Sequence, residues 1–278
     1  MKDLGIIRRR NRMENYSVLM SVYAKENPDW LKQAIDSMLN QTVKTDDFVL
    51  VCDGPLTEAL DAVIAGYGEN LHVLRLEKNL GLGNALNVGM GACKNELIAR
   101  MDSDDISAPD RCEKQLRAFE QDPELGILSG TLKEFMETPD QVTGERRLPC
   151  THEQIMAFSR KRCPFNHPCV MFRKSAVLAA GGYNGKFRME DYYLWIRILQ
   201  TGCKAANLED VLLYMRTSPD MYLRRGGSFY AKDMLRFHWW AYKTGWESLG
   251  DFLTGAVPHA VVCVMPNRVR GLVYNFLH

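Results

Sequence analysis

The segment ELIARMDSDDIS, residues 96–107, closes an apolar run with Asp102, Asp104 and Asp105. Carboxylates this close repel one another unless something positive sits among them. An Asp-x-Asp at a strand end offers hard oxygen ligands suited to Mg2+ or Mn2+, ions that share their coordination with substrate phosphates. The plainer reading is a solvated turn that leads through Ser107 into the next helix. Asp53, in VCDGP, stands at a strand-to-helix turn where a carboxylate can accept a hydrogen bond from a base or ribose and Gly54 allows close approach. It would also suit an ordinary turn. NLGLGNALNVG, residues 79–89, presents Asn79, glycines and amides ahead of a helix start, where anionic groups are favoured. It lacks the Gly-Lys-Ser/Thr of a P-loop, and capping with tight packing would explain it equally. Glu190 and Asp191, in RMEDYYLW, open a helix; the dipole favours acids there, and a general base could stand there too.

Alternating strand and helix signals must position these groups. Apolar, β-branched runs predict strands at 16–23, 47–54, 71–77 and 96–102. Helical spacing predicts helices at 27–41, about 57–66, and 83–94. Repeated β-α-β units imply a mainly parallel sheet with helices on both faces, and ligands collect beyond the carboxyl ends of such strands. Asp53 and the Asp102–Asp105 group both lie at such ends. Further on, the pattern predicts a helix at about 109–121 with Pro109 in its first turn, strand-like pieces at 125–136 and 167–173, and a helix at 190–202. His167, in FNHPCVMF, precedes a strand and is a candidate acceptor-side residue or a structural histidine.

The 278 residues suffice for one large domain or two small ones, either with a real core. A net charge of +1 argues against a nucleic-acid binder. The eight cysteines include no CxxC and sit in apolar settings, which points to reduced core thiols in a cytoplasmic protein. Residues 1–14 read as a basic leader with no secretory core, and Met13 is an alternative start. No apolar run is long enough to span a membrane. From residue 226 to 278 aromatic and basic residues become dense, as in FYAKDMLRFHWWAYKTGW and around Arg268 and Arg270. That composition suits peripheral contact with a membrane interface, or a helical subdomain packed on the rest of the chain.

Taken in order, SVLMSVY, LVCDG, NLGLGNALNVG, ELIARMDSDDISAPDR, NHPCVMFRK, GGY and EDYYLWIRI resemble the family-2 glycosyltransferases of the GT-A fold. The likeness is to bacterial enzymes of exopolysaccharide, capsule and O-antigen assembly, and runs from about residue 16 to 216. It implies an α/β, Rossmann-like catalytic domain over 15–225 with a helical C-terminal extension. It implies a nucleotide-sugar donor, usually a UDP-sugar, a divalent Mn2+ or Mg2+, inversion at the anomeric carbon, and a glycan or lipid-linked acceptor. Asp53 matches the base-contacting carboxylate, Asp102 the first DxD position near ribose and diphosphate, and Asp104 the metal-binding aspartate. Asp105 is the least certain contributor. Asp191 matches the catalytic base, with Glu190 its neighbour. Two departures stand out: Cys52 and Pro55 replace an aspartate and a serine frequent around Asp53, and no histidine follows the last strand. Arg216, Arg224 and Arg225 in that last region could contact the diphosphate instead, or line a solvated loop.

Two other readings compete. A sugar-phosphate nucleotidyltransferase would share the sheet and the metal-binding aspartates, but should carry a Gly-rich basic loop that SVYAKENPDW lacks. An inactive scaffold retaining the fold would have little reason to keep Asp102, Asp104 and Asp191 together.

Overall fold

The computed structural model describes residues 14–218 and 227–265. The first half is the alternation expected. β1 (Tyr16–Val22), α1 (Pro28–Leu39), β2 (Asp47–Cys52), α2 (Glu58–Ala65), β3 (His72–Arg75), α3 (Leu82–Ala92) and β4 (Leu97–Met101) follow one another. β1 pairs in parallel with β2 and β4, and β2 with β3. β1 shows why its sequence is a solid apolar run. Val18 and Met20 pack on one side of the sheet with Leu31, Ile35 and Met38 of α1, while Leu19 packs on the other with Ala85 and Leu86 of α3. Both faces are covered, so no polar alternation is left.

The second half departs from a parallel sheet. β5 (Ile106–Ser107), α4 (Arg111–Gln121), β6 (Leu125–Phe135), β7 (Val142–Arg146), α5 (His152–Phe158), β8 (Met171–Arg173), α6 (Lys174–Ala179), α7 (Glu190–Gln200) and β9 (Lys204–Arg216) complete the domain. The nine-stranded sheet has the order β3-β2-β1-β4-β8-β6-β9-β5, with β7 on β6. β8 runs antiparallel to both β4 and β6, and β6 and β9 are parallel again. Two expected boundaries shift. The strand placed at 167–173 is a 3-10 turn over His167–Cys169 followed by three strand residues, since Pro168 has no N–H for a ladder. The helix placed from 109 begins at Arg111, and the Pro109 carbonyl instead accepts from the Thr42 amide.

Helix α7 is apolar nearly all round because it is buried on two sides. Leu194, Trp195, Ile198 and Leu199 face the sheet. Tyr192, Tyr193 and Ile196 meet Phe237 and Ala241 of α8 (Ser228–Lys243), the helix that opens the C-terminal extension. A last helical run follows, with α-helical turns over Leu249–Asp251 and Val257–Val264 joined by a π-helical turn over Phe252–Ala256. Among the described residues no helix is long and apolar enough to cross a membrane. The basic stretch 1–13 and residues 266–278, with Arg268 and Arg270, lie outside the described residues.

One buried side chain ties the sheet to the 167–169 turn. Arg111 is fully buried; its Nη2 donates to the carbonyls of Arg100 (2.7 Å) and Val170 (3.2 Å), and its Nη1 to that of Pro168 (3.3 Å). Its Nε donates to Gln115, which in turn holds the Cys169 carbonyl. Arg111→Met should therefore lower stability by about 3 kcal/mol, because several buried acceptors lose their donor. An unchanged urea midpoint would show that these bonds do not position the strand.

Candidate active site

The expected residues gather beyond the carboxyl ends of β1, β2 and β4. At the end of β2, Asp53 is buried and its carboxylate accepts from the amides of Leu80 (2.7 Å) and Gly81 (3.1 Å). Asn79 Nδ2 returns a hydrogen bond to the Asp53 carbonyl (3.2 Å). Asp53 thus anchors the 79–81 loop. Gly54 has φ +89°, and a Cβ there would lie 2.7 Å from the Asn79 nitrogen, so only glycine fits this turn. Tyr23, Ala24, Lys25, Gly54, Pro55 and Asn79, with Asp53, line an open hollow.

At the end of β4 the strand's two-residue period turns Arg100 to the same face as Ile98, the side on which Trp195 lies. Its guanidinium, 1% exposed, forms a two-pronged ion pair with Asp102: Nη1 donates to Oδ2 at 2.6 Å and Nη2 to Oδ1. Oxygens of Asp102, Asp104 and Asp105 lie within 4.8 Å of one another, a set able to hold a divalent cation. Arg100 is committed to Asp102. Burial first, then the charges of Asp102 and Glu26, push the Asp104 carboxyl up to about 7. Burial, followed by Asp104 and Asp102, pushes Asp105 well above the carboxylate range.

Asp105 has a structural task as well, accepting from the Arg216 amide at 2.8 Å. Arg216 does not reach into open space. Its Nε donates to the Asp104 carbonyl, Nη2 to Gln33 and Nη1 to the Glu137 carbonyl, and the guanidinium stacks between Trp30 and Phe135. In this arrangement it braces the aspartate turn rather than a diphosphate. Arg224 and Arg225 lie outside the described residues.

The ED pair arrives from the other side, at the first turn of α7. Asp191 Oδ1 accepts from the Tyr192 amide at 2.8 Å. Glu190 sits against the start of α3, where a Cβ on Gly83 would come 2.6 Å from its Oε2. Burial and then Asp191 raise the Glu190 carboxyl, partly offset by a hydrogen bond from the Gly83 amide. Between the two acidic groups stands Tyr183. Burial dominates the rise in its pKa; Arg100 opposes that rise, and Asp191, Glu190 and Asp102 add to it, so charge from both ends of the site reaches this phenol. His167 Nε2 pairs with the Tyr183 hydroxyl at 2.9 Å, and burial together with Arg100 holds the imidazole neutral. It is tied to Tyr183 rather than turned to an open acceptor.

Arg100, Tyr183, Glu26 and Asn87 were not singled out from sequence. Glu26 accepts from Ser103 at 2.6 Å beside the aspartates. Asn87 of α3 grips both backbone groups of Tyr183, and Arg197 of α7 holds the carbonyls of Ala180 and Gly182. These bonds are the physical content of the GGY motif. The one available signal for Arg100 was a charge inside a strand buried on both faces, which must be paired.

The Asp104 shift fixes a testable pH dependence. Its folded pKa lies above its ordinary value of 3.8, so the ionised group opposes folding; the penalty is absent below about pH 4 and complete above about pH 7. With chelator present, Asp104→Asn should raise Tm at pH 8 and leave it nearly unchanged at pH 4. Mn2+ should raise the Tm of the parent protein at pH 8 and not that of the variant. Equal Mn2+ shifts in both would remove Asp104 as a ligand.

Known proteins resemble the chain in sequence and in fold. The Glycosyl transferase family 2 profile matches residues 17–181. The amylovoran biosynthesis glycosyltransferase AmsE of Erwinia amylovora is 44% identical over 227 residues, 80% of this chain and 84% of that protein. The UDP-Gal:alpha-D-GlcNAc-diphosphoundecaprenol beta-1,3-galactosyltransferase of Escherichia coli is 35% identical over 262 residues, 94% of this chain and 95% of that one. Among solved structures, the mannosyltransferase PcManGT of Pyrobaculum calidifontis, in complex with GDP-Man and Mn2+, superposes with a TM-score of 0.66 at 16% identity, covering 96% of this chain and 81% of its own. S. aureus TarS 1–349 with UDP-GlcNAc gives 0.61 at 17% identity, covering 80% and 65%. The sheet with its flanking helices is the GT-A fold, and the chain is a glycosyltransferase belonging to glycosyl transferase family 2.

Proposed function

We propose that the chain transfers a sugar, with inversion, from a nucleotide-sugar donor to a hydroxyl of a glycan or lipid-linked acceptor during surface polysaccharide assembly in the cytoplasm. The donor is a UDP-sugar in this reading, in keeping with the UDP-Gal named for the E. coli relative. The observation that carries it is the acidic trio at the end of β4, one strand removed from the β2 hollow. Asp53 and Asp102 end strands that flank β1, about 10 Å apart by sheet spacing, the span between a nucleoside base and its diphosphate.

In this reading the hollow beside Asp53 and Asn79 holds the base. A carboxylate can accept about four hydrogen bonds, and Asp53 spends two on the loop, so lone pairs remain for a base N–H. Asp104, with Asp102, would hold Mn2+ or Mg2+. Bound there, the cation would offset charge on the departing diphosphate. Asp191, whose Oδ1 accepts from the Tyr192 amide in the first turn of α7, takes the proton of the attacking acceptor hydroxyl. Glu190, whose carboxyl is raised, stands beside it on the acceptor side. A single displacement inverts the sugar and needs no covalent enzyme intermediate. Residues 15–225 form the catalytic unit in this reading, and α8 buttresses α7.

A panel of nucleotide sugars assayed for slow hydrolysis with and without Mn2+ should give one preferred, metal-dependent donor. Asp191→Asn should lower kcat for transfer by about 10²–10⁴-fold with donor affinity kept. Near-normal transfer by that variant would remove Asp191 as the base. Release of pyrophosphate from a nucleoside triphosphate, with no donor hydrolysed, would overturn the reading of the reaction.

A further inference from the structure

We infer that the C-terminal helices form a docking face for an anionic lipid surface. Beyond Ser228 in its first turn, the exposed positions of α8 are Phe229, Lys232, Arg236, Trp239 and Lys243, spaced by three and four residues and therefore on one helix face. The buried side sets Phe237 and Ala241 against α7, and Ala231 and Met234 against Ala260 and Cys263 of the last helix. Cations sit on the exposed rings: Arg188 lies 4.6 Å over Phe229 and Lys243 lies 5.1 Å over Trp239. The carboxylates nearby are already engaged. Asp233 holds Arg236 and the Arg188 amide, Glu247 is buried on His238, and Asp251 is taken by Ser248 and Lys161.

The last helical run, packed on α8 through Ala260 and Cys263, exposes an apolar strip of its own. Leu249, Leu253, Val257, Val261 and Val264 are all exposed, Leu253 by 53% and Val264 by 57%. Steps of four in an α-helix drift by about 40° each, but the wider winding of the π-helical turn between Leu253 and Val257 reverses one step. The side chains so remain on one strip. Trp239 packs edge-on to Phe252, the neighbour of Leu253, and joins the two helices.

An apolar strip bordered by cations and half-exposed aromatics matches the boundary of a bilayer, with its headgroup charge and acyl interior. Lys232 and Lys243, which have no carboxylate partner among the described residues, favour anionic headgroups. A second copy of this face would instead set like charges against one another. The purpose of such docking rests on the proposed lipid-linked acceptor; the docking face itself does not.

The test is flotation of the full chain, without sugar nucleotide, with vesicles of phosphatidylglycerol and phosphatidylcholine or of phosphatidylcholine alone. The parent protein should float with the anionic vesicles, at least tenfold less with the neutral ones, and less in high salt. Leu253→Glu with Val261→Glu, and separately Lys232→Glu with Lys243→Glu, should each reduce flotation at least tenfold while Tm and donor hydrolysis stay unchanged. The inference is overturned if the parent does not float, if either pair floats equally, or if the parent is a dimer that the Leu253/Val261 pair makes monomeric. Hydrolysis without flotation sinks only this inference, and flotation without hydrolysis sinks only the proposed transfer.

Discussion

A guanidinium buried beneath a carboxylate sets the charge pattern on which the site depends. Arg100 is brought inside by the period of β4 and pairs with Asp102; one of its donors, Nε, has no partner. Losing either member of such a pair leaves an uncompensated buried charge, a cost of about 3–5 kcal/mol. Burial first, and then the neighbouring carboxylates, raise the proton affinities of Asp104 and Asp105, against a smaller lowering by Arg100. Arg216 lies against the same turn, its amide bonded to Asp105 and its guanidinium to the Asp104 carbonyl, while Arg111 spends its donors on backbone carbonyls.

The second dependence is on α7. Its inner side fills the core against the sheet and its outer side is covered by α8, so its first turn is held from two directions. Tyr193 meets Trp240 at 4.6 Å and Tyr192 meets Phe237 at 4.7 Å between ring centroids. The C-terminal extension is thus joined to the helix that presents Asp191, rather than appended to the domain. A surface engaged by α8 and the acidic pair at the head of α7 share one packed unit.

How much of this was legible in sequence follows from the range of each interaction. β1, β2 and β4 announce themselves because burial on both faces leaves continuous apolar runs. β9 mixes exposed and buried positions irregularly, and its bulged pairing with β6 breaks the alternation that would have marked it. The carboxylates at strand and helix ends were visible as residue types in suggestive places. Their partners were not, since Asn87 meets Tyr183 across 96 positions and Arg216 meets Asp104 across 112. Sequence left Arg216 between a diphosphate contact and a solvated loop, because its neighbours, Trp30, Phe135 and Gln33, are distant in the chain. His167 likewise stood between an acceptor-side residue and a structural histidine, because its contact with Tyr183 forms only in the fold.

The short backbone from Leu80 to Gly83 joins two regions of the site. At one end its amides are held by Asp53, in the hollow read as the donor's; three residues on, Gly83 touches Glu190, beside the acid read as the acceptor's base. The approach of α7 to this loop depends on the absence of a single Cβ, since one at Gly83 would stand 2.6 Å from the Glu190 carboxylate.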